Sequence, residues 1–204
     1  SIESWSRTLE DGERALDLAI VNAAGVADPL SIVAAADAYL DGITTTAQIT
    51  TIPVPRAPLI FGPGDLAPLA ALFAAAPPTG LHVALVPCLG EHNSALGLSR
   101  QLAGYSTHVP AGHASAGVVN GVVIAVGPGC GSAADWHSAG AGAALAHELG
   151  HALGLWHTVE TGGGEDHLAD TDADNLMAAQ PAASSTLPLS ASQRAIIRAH
   201  PLAK

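Results

Sequence analysis

The sequence predicts an α/β fold on three observations. A strand, helix, strand order opens the chain. Two later runs rich in β-branched residues, Val83-Ala84-Leu85-Val86 and Val122-Val123-Ile124-Ala125-Val126, read as buried strands. A helical stretch with histidines four apart then precedes a glycine-marked turn. The 204 residues suffice for one domain with a substantial core, 1–204, and also for a domain divided by a cleft.

Residues 1–13 are polar and lead in as a loose segment. Ala15 to Val21 alternates well enough for a first strand, ended by Asn22 to Gly25. Asp28-Pro29 supplies a cap and a proline at the first helical position. Leu30, Ile32, Val33, Ala36, Tyr39 and Leu40 then mark one side of a helix that stops at Gly42. Ile43 to Val54 is a second strand, closed by prolines 53, 55 and 58. Gly64 to Ala76 contains a short alanine-rich helix, and Gly80 to Leu89 a third strand, with His82 packed or at an edge. Gly90 to Pro110 has few periodic cues and reads as a loop carrying His92 and His108 on the surface. Asn120-Gly121 between valines predicts a two-residue type I′ turn, which makes His113 to Val119 an antiparallel edge strand. Such an edge offers unpaired backbone groups to an extended peptide, so substrate is expected along 113–119.

Pro128 to Asp135 connects to a helix from about Ser138 to Leu153. Its end and the turn beyond read His147-Glu148-Leu149-Gly150-His151-Ala152-Leu153-Gly154-Leu155-Trp156-His157. This H-E-x-x-H-x-x-G-x-x-H pattern is a zinc-binding and water-activating arrangement. His147 and His151 project from one helix face, one turn apart, so both imidazoles reach one ion. A catalytic zinc takes three protein ligands and keeps a fourth position open. Gly154 can adopt the left-handed conformation that ends a helix and returns His157 as the third ligand. Glu148, about 100° around the helix from His147, is placed for a general base. Trp156 is expected to pack against the helix.

These residues resemble the metzincin clan of zinc endopeptidases. The single methionine, Met177, twenty residues after His157, matches the clan's Met-turn, a hydrophobic floor beneath the metal. Thr158, Asp170-Thr171 and Asn175-Leu176-Met177 look most like the pappalysin-like branch and its bacterial secreted relatives. The resemblance implies a metzincin-type zincin: a twisted, mostly parallel five-stranded sheet with an antiparallel edge strand and the active-site helix in an upper lobe, 1–154. A small helical lower lobe, 155–204, follows the glycine turn. It implies zinc as cofactor, peptide-bond hydrolysis as the activity, and a pocket walled by Ala178 to Ala183. It also implies secretion, with leader and pro-segment outside this chain. Neither Tyr39 nor Tyr105 matches an oxyanion helper of the clan. Two other activities fit the same site: hydrolysis of a non-protein amide such as a cell-wall cross-link, and a zinc-stabilised binding module without turnover.

Hydrophobic residues make up 49% of the chain but aromatics only 3%, so the interior must be built from Ala, Val and Leu. Seven basic against eighteen acidic side chains, a net charge of −11, argue against nucleic acid and anionic membrane surfaces as partners. No apolar run is long and unbroken enough for a membrane span, and a monomer is expected. Cys88 and Cys130 each follow an apolar strand-like run. Adjacent parallel strands would bring them together as a disulfide; two buried thiols, or a thiol capping the zinc, are the alternatives. Thr161 to Asp174 is glycine-rich and acidic; Asp166, Asp170 and Asp172 are candidate calcium ligands, against the plain reading of a solvated loop. Ser190 or Ser192 starts a closing helix that stops before Pro201.

Overall fold

A computed structural model describes residues 12, 14–52, 59–62, 65–93, 98–111, 119–127, 140–159, 164–172, 174–179 and 187–204. The main sheet has five strands: β1 (Arg14–Asn22), β2 (Ile43–Thr51), β4 (Leu81–Val86), β7 (Gly104–Ser106) and β8 (Gly121–Ala125), in the order β2-β1-β4-β8-β7. The first four are mutually parallel and β7 runs antiparallel to β8, so the predicted architecture of a mostly parallel sheet with one reversed edge holds.

The sheet's two faces are legible as odd and even positions, because side chains alternate across a strand. Leu16, Leu18 and Ile20 of β1, Val83 and Leu85 of β4, and Val122 and Ile124 of β8 join one buried cluster. That cluster is covered by α1 (Pro29–Asp37) and α3 (Gly140–Ala152) through Val33, Ala36, Leu145 and Leu149. The alternate residues Val21, Ala84, Val86 and Val123 face α2 (Ala67–Phe73) through Leu69, Leu72 and Phe73. The interior is largely Ala, Val and Leu, with a few Ile and Phe73. Two helices begin as their sequence dictates: the Asp28 carboxylate accepts from the Ser31 N–H ahead of Pro29 on α1, and Ser190 and Gln193 form a reciprocal capping box on α4 (Ala191–Ala199).

Two expectations are corrected. The stretch 90–110 is not a loop: β5 (Leu89–Asn93) and β6 (Leu98–Leu102) join β3 (Leu59–Phe61) in a second sheet ordered β3-β5-β6, and Gly104–Ser106 supplies β7. Among the described residues the strand at the edge beside β8 is β7. Residues 113–118 lie outside the described residues, and Val119 and Asn120 precede β8 without forming strand. A type I′ turn needs positive φ at both central residues, and neither Asn120 nor Gly121 has it. Thr107 takes over the connection instead: its N–H donates to the Gly121 carbonyl at 3.0 Å, and the Gly121 N–H donates to its hydroxyl at 3.0 Å.

β4 and β8 are adjacent and parallel, so the residues following each emerge at one end of the sheet. Cys88 lies there and is disulfide-bonded, while Cys130, the chain's other cysteine, is outside the described residues. Among the described residues no helix is long and apolar enough to cross a membrane.

Candidate metal centre and its carboxylate

α3 carries His147, Glu148 and His151 in its last two turns, all buried, with the two imidazole Nε2 atoms 3.1 Å apart. The helix ends in a Schellman motif. The Gly154 N–H bonds the His151 carbonyl and the Leu155 N–H bonds the Gly150 carbonyl, each at 2.9 Å, with Gly154 at φ +101°. That conformation favours glycine over any side-chain-bearing residue. The reversal returns His157, whose Nε2 comes to 3.1 Å from that of His151 and 3.3 Å from that of His147.

Two carbonyls settle which nitrogens carry protons. The Nδ1 atoms of His147 and His151 lie 2.7 Å from the Leu176 oxygen and 2.8 Å from the Leu155 oxygen. A carbonyl only accepts, so each Nδ1 donates and each Nε2 presents a lone pair to the others. Burial, and then the neighbouring His151, hold the His147 ring well below the usual histidine range, hence neutral. Lone pairs gathered this closely repel unless a cation lies among them. Tetrahedral zinc with bonds of about 2.0–2.1 Å separates its nitrogen ligands by roughly 3.3 Å, and the observed triangle of 3.1, 3.1 and 3.3 Å fits it. These three histidines are the group among the described residues that can hold a metal ion.

Glu148 is 8% exposed, and burial pushes its carboxyl up to about 8, against the opposing pull of a hydrogen bond from the Ser106 backbone. The edge strand thus serves the helix. A Cβ at Gly104 would lie 2.5 Å from Glu148 Cγ and 2.7 Å from Oε1, so the carboxylate sits flush on bare backbone. No periodicity in the sequence marks Gly104 or Ser106 for this task.

Met177 is fully buried, its sulfur against the backbone of Gly150 in the turn of α3 between His147 and His151. The Met177 carbonyl accepts from the Thr158 N–H at 2.9 Å, tying this turn to the residue after His157. Ala178 is buried and Ala179 half-buried; 180–183, the rest of the expected pocket wall, lie outside the described residues. Trp156 does not pack against the helix. It is 62% exposed and, with His157, Leu168 and Ile196, lines a cavity of about 510 Å³. His92 and His108 are exposed, as expected, and His82 is half-buried beside the Phe73 ring.

The calcium expectation is not supported. Asp170 accepts from the Ser192 N–H and the Ser190 hydroxyl, capping α4. Asp166 accepts from the Leu168 N–H and the Thr171 hydroxyl. Asp172 is exposed and joins no metal-holding group among the described residues. Carboxylates engaged in capping α4 and in bonds within their loop are not gathered around an ion.

The crystal structure of metalloproteinase-II from Bacteroides fragilis superposes with a TM-score of 0.52 at 15% identity over 92% of this chain. The two chains share a fold. This chain spans about half of that protein, 54% of its length. A looser likeness joins it to archaemetzincin from Archaeoglobus fulgidus, a structure complexed with malonate: TM-score 0.47, 8% identity, 89% of this chain and 99% of that one. No protein-family model matches the sequence, and no curated protein does.

Proposed function

We propose that this chain is a zinc-dependent endopeptidase of the metzincin type. The observation that carries the reading is the convergence of three imidazole Nε2 atoms within 3.3 Å, two of them aprotic by their carbonyl partners, beside a buried carboxylate. His147, His151 and His157 hold the metal, and Met177 forms the floor beneath it. Zinc, when bound, supplies Lewis acidity toward water and the scissile carbonyl. A neighbouring dication also favours the charged form of Glu148, the form that acts as a base. Glu148 then takes a proton from the attacking water on a carboxylate oxygen and delivers it to the departing amine nitrogen.

The substrate lies extended beside β7. Because the Ser106 N–H and the space at Gly104 fix Glu148, the strand that aligns the peptide also orients the base. Gly154 divides an upper lobe, 1–154, from a lower one, 155–204. The Asp170-Thr171 and Asn175-Leu176-Met177 pairing favours the pappalysin-like branch, and a Cys88–Cys130 disulfide suits a secreted monomer.

Digestion of a peptide library by the purified chain tests the reading. Internal cleavage is expected, abolished by chelator and restored by zinc. Cleavage that persists in chelator contradicts metal dependence. Untouched peptides with hydrolysis of a small amide or cell-wall cross-link would move the substrate class, and zinc binding without any turnover would leave a binding module.

A further inference from the structure

A chain of buried amides runs from the C-terminal helix to the ring of His147. The Asn175 side chain is used at both ends: its Oδ1 accepts from the Met177 N–H at 2.8 Å, and its Nδ2 donates to Gln193 Oε1 at 2.8 Å. Gln193 is fully buried on α4, and the same oxygen accepts from the Ser190 N–H at 2.9 Å. The Asn175 carbonyl also accepts from the Ala178 N–H at 3.1 Å. Between Asn175 and the Met177 N–H it anchors stands Leu176, whose carbonyl receives the His147 Nδ1 proton at 2.7 Å. The direction of that carbonyl sets both the tautomer and the tilt of the ring, because a histidine is oriented as a ligand by the bond its other nitrogen makes.

We infer that Gln193, eighteen residues from Asn175 and on a different element, is a positioning residue for the metal centre: through Asn175 it fixes the Leu176 carbonyl and thereby aims His147 Nε2. Gln193 also serves the helix cap, where its backbone N–H donates to Ser190 Oγ at 3.1 Å and its Oε1 accepts from the Ser190 N–H. A residue needed only for the cap could be any good acceptor or helix former. One that holds a remote buried amide must be an acceptor of this reach, since the Asn175 contact lies inside the protein. The inference rests on reading the three histidines as a metal site.

The test is zinc affinity, measured by competition with a chromogenic chelator on the full chain, with the visible spectrum of the cobalt-substituted protein as a second readout. Gln193→Ala should weaken zinc binding about tenfold, the lower end of what loss of an outer partner of a ligand costs, and should shift the cobalt bands. Ser190→Ala removes the cap hydroxyl but keeps the backbone donor to Gln193. It should lower the melting temperature of the chelated protein and leave affinity within twofold. Because Gln193→Ala also removes a helix-cap acceptor, isosteric Asn175→Asp provides an independent arm. It keeps the acceptor for the Met177 N–H but turns an oxygen toward Gln193 Oε1, and should weaken zinc to a similar degree. In the Asn175→Ala background Gln193→Ala should add no further loss, since both act through one contact. Wild-type affinity and cobalt spectrum in Gln193→Ala or Asn175→Asp would overturn the inference, as would independent losses from the two alanines. A wild-type chain that binds no zinc would instead sink the metal site itself.

Discussion

Gly104→Ala isolates the contact between the edge strand and the candidate base. Gly104 does not have positive φ, so alanine meets no backbone penalty there and the effect is one of space. The new methyl would sit 2.5 Å from Glu148 Cγ and 2.9 Å from Cδ. Carbon atoms prefer about 3.5 Å or more, so strand or carboxylate must yield by roughly 1 Å. Overpacking of this kind costs about 1–3 kcal/mol of stability. A 1 Å displacement of a catalytic group costs on the order of 10²-fold in rate. Either response harms the base: Glu148 moves, or β7 swings out and takes the Ser106 N–H with it. The three atoms nearest the new methyl all belong to Glu148, so zinc content should stay at one per chain while kcat/KM on a cleaved peptide falls about a hundredfold. Denaturant unfolding should show the stability loss in parallel. A Gly104→Ala protein that keeps full zinc and cleaves within threefold of wild type would refute the idea that β7 positions Glu148.

Two further outcomes follow from the same geometry. The folded, metal-free chain holds the Glu148 carboxyl at about 8 against an ordinary 4.5, so between those values the folded state carries a proton that the unfolded state has lost. Stability from this group is complete below pH 4.5 and lost as pH rises through 8; the interval of 3.5 units corresponds to roughly 5 kcal/mol. In chelator, wild type should therefore lose several kcal/mol relative to Glu148→Gln between pH 5 and pH 9 by denaturant titration, and parallel profiles would contradict the burial argument. His157→Ala removes one corner of the nitrogen triangle and should cost the chain its stoichiometric zinc on a metal assay; retained tight binding would show that His157 is no ligand.

The clustering of the three histidines was legible because its information is local. Four-residue spacing places His147 and His151 on one face whatever surrounds the helix, and Gly154 announces the Schellman turn that returns His157. Strands β1, β4 and β8 were legible for a related reason: buried between helix layers, they read as nearly continuous apolar runs. β7 was not. Gly104-Tyr105-Ser106 has no pattern of its own and becomes a strand by pairing with β8, while the strong Asn120-Gly121 signal was overridden when Thr107 bonded Gly121 at both its N–H and C=O. The second sheet escaped notice likewise, since Leu89-Gly90-Glu91-His92-Asn93 alternates little. Asp170 and Asp166 looked available for a cation until their loop was seen to use them as caps. Gln193 shows the intermediate case. Ser190-x-x-Gln193 is readable as a capping box, but its bond to Asn175 is not, because only the folded chain brings α4 against the turn at Met177.

The central claim is that a carboxylate beside a three-histidine metal site performs the proton transfers of peptide hydrolysis. It is tested most directly by measuring zinc content and peptide turnover together on purified Glu148→Ala. One zinc per chain with turnover lowered at least a hundredfold is the predicted result; one zinc per chain with turnover equal to wild type would contradict it.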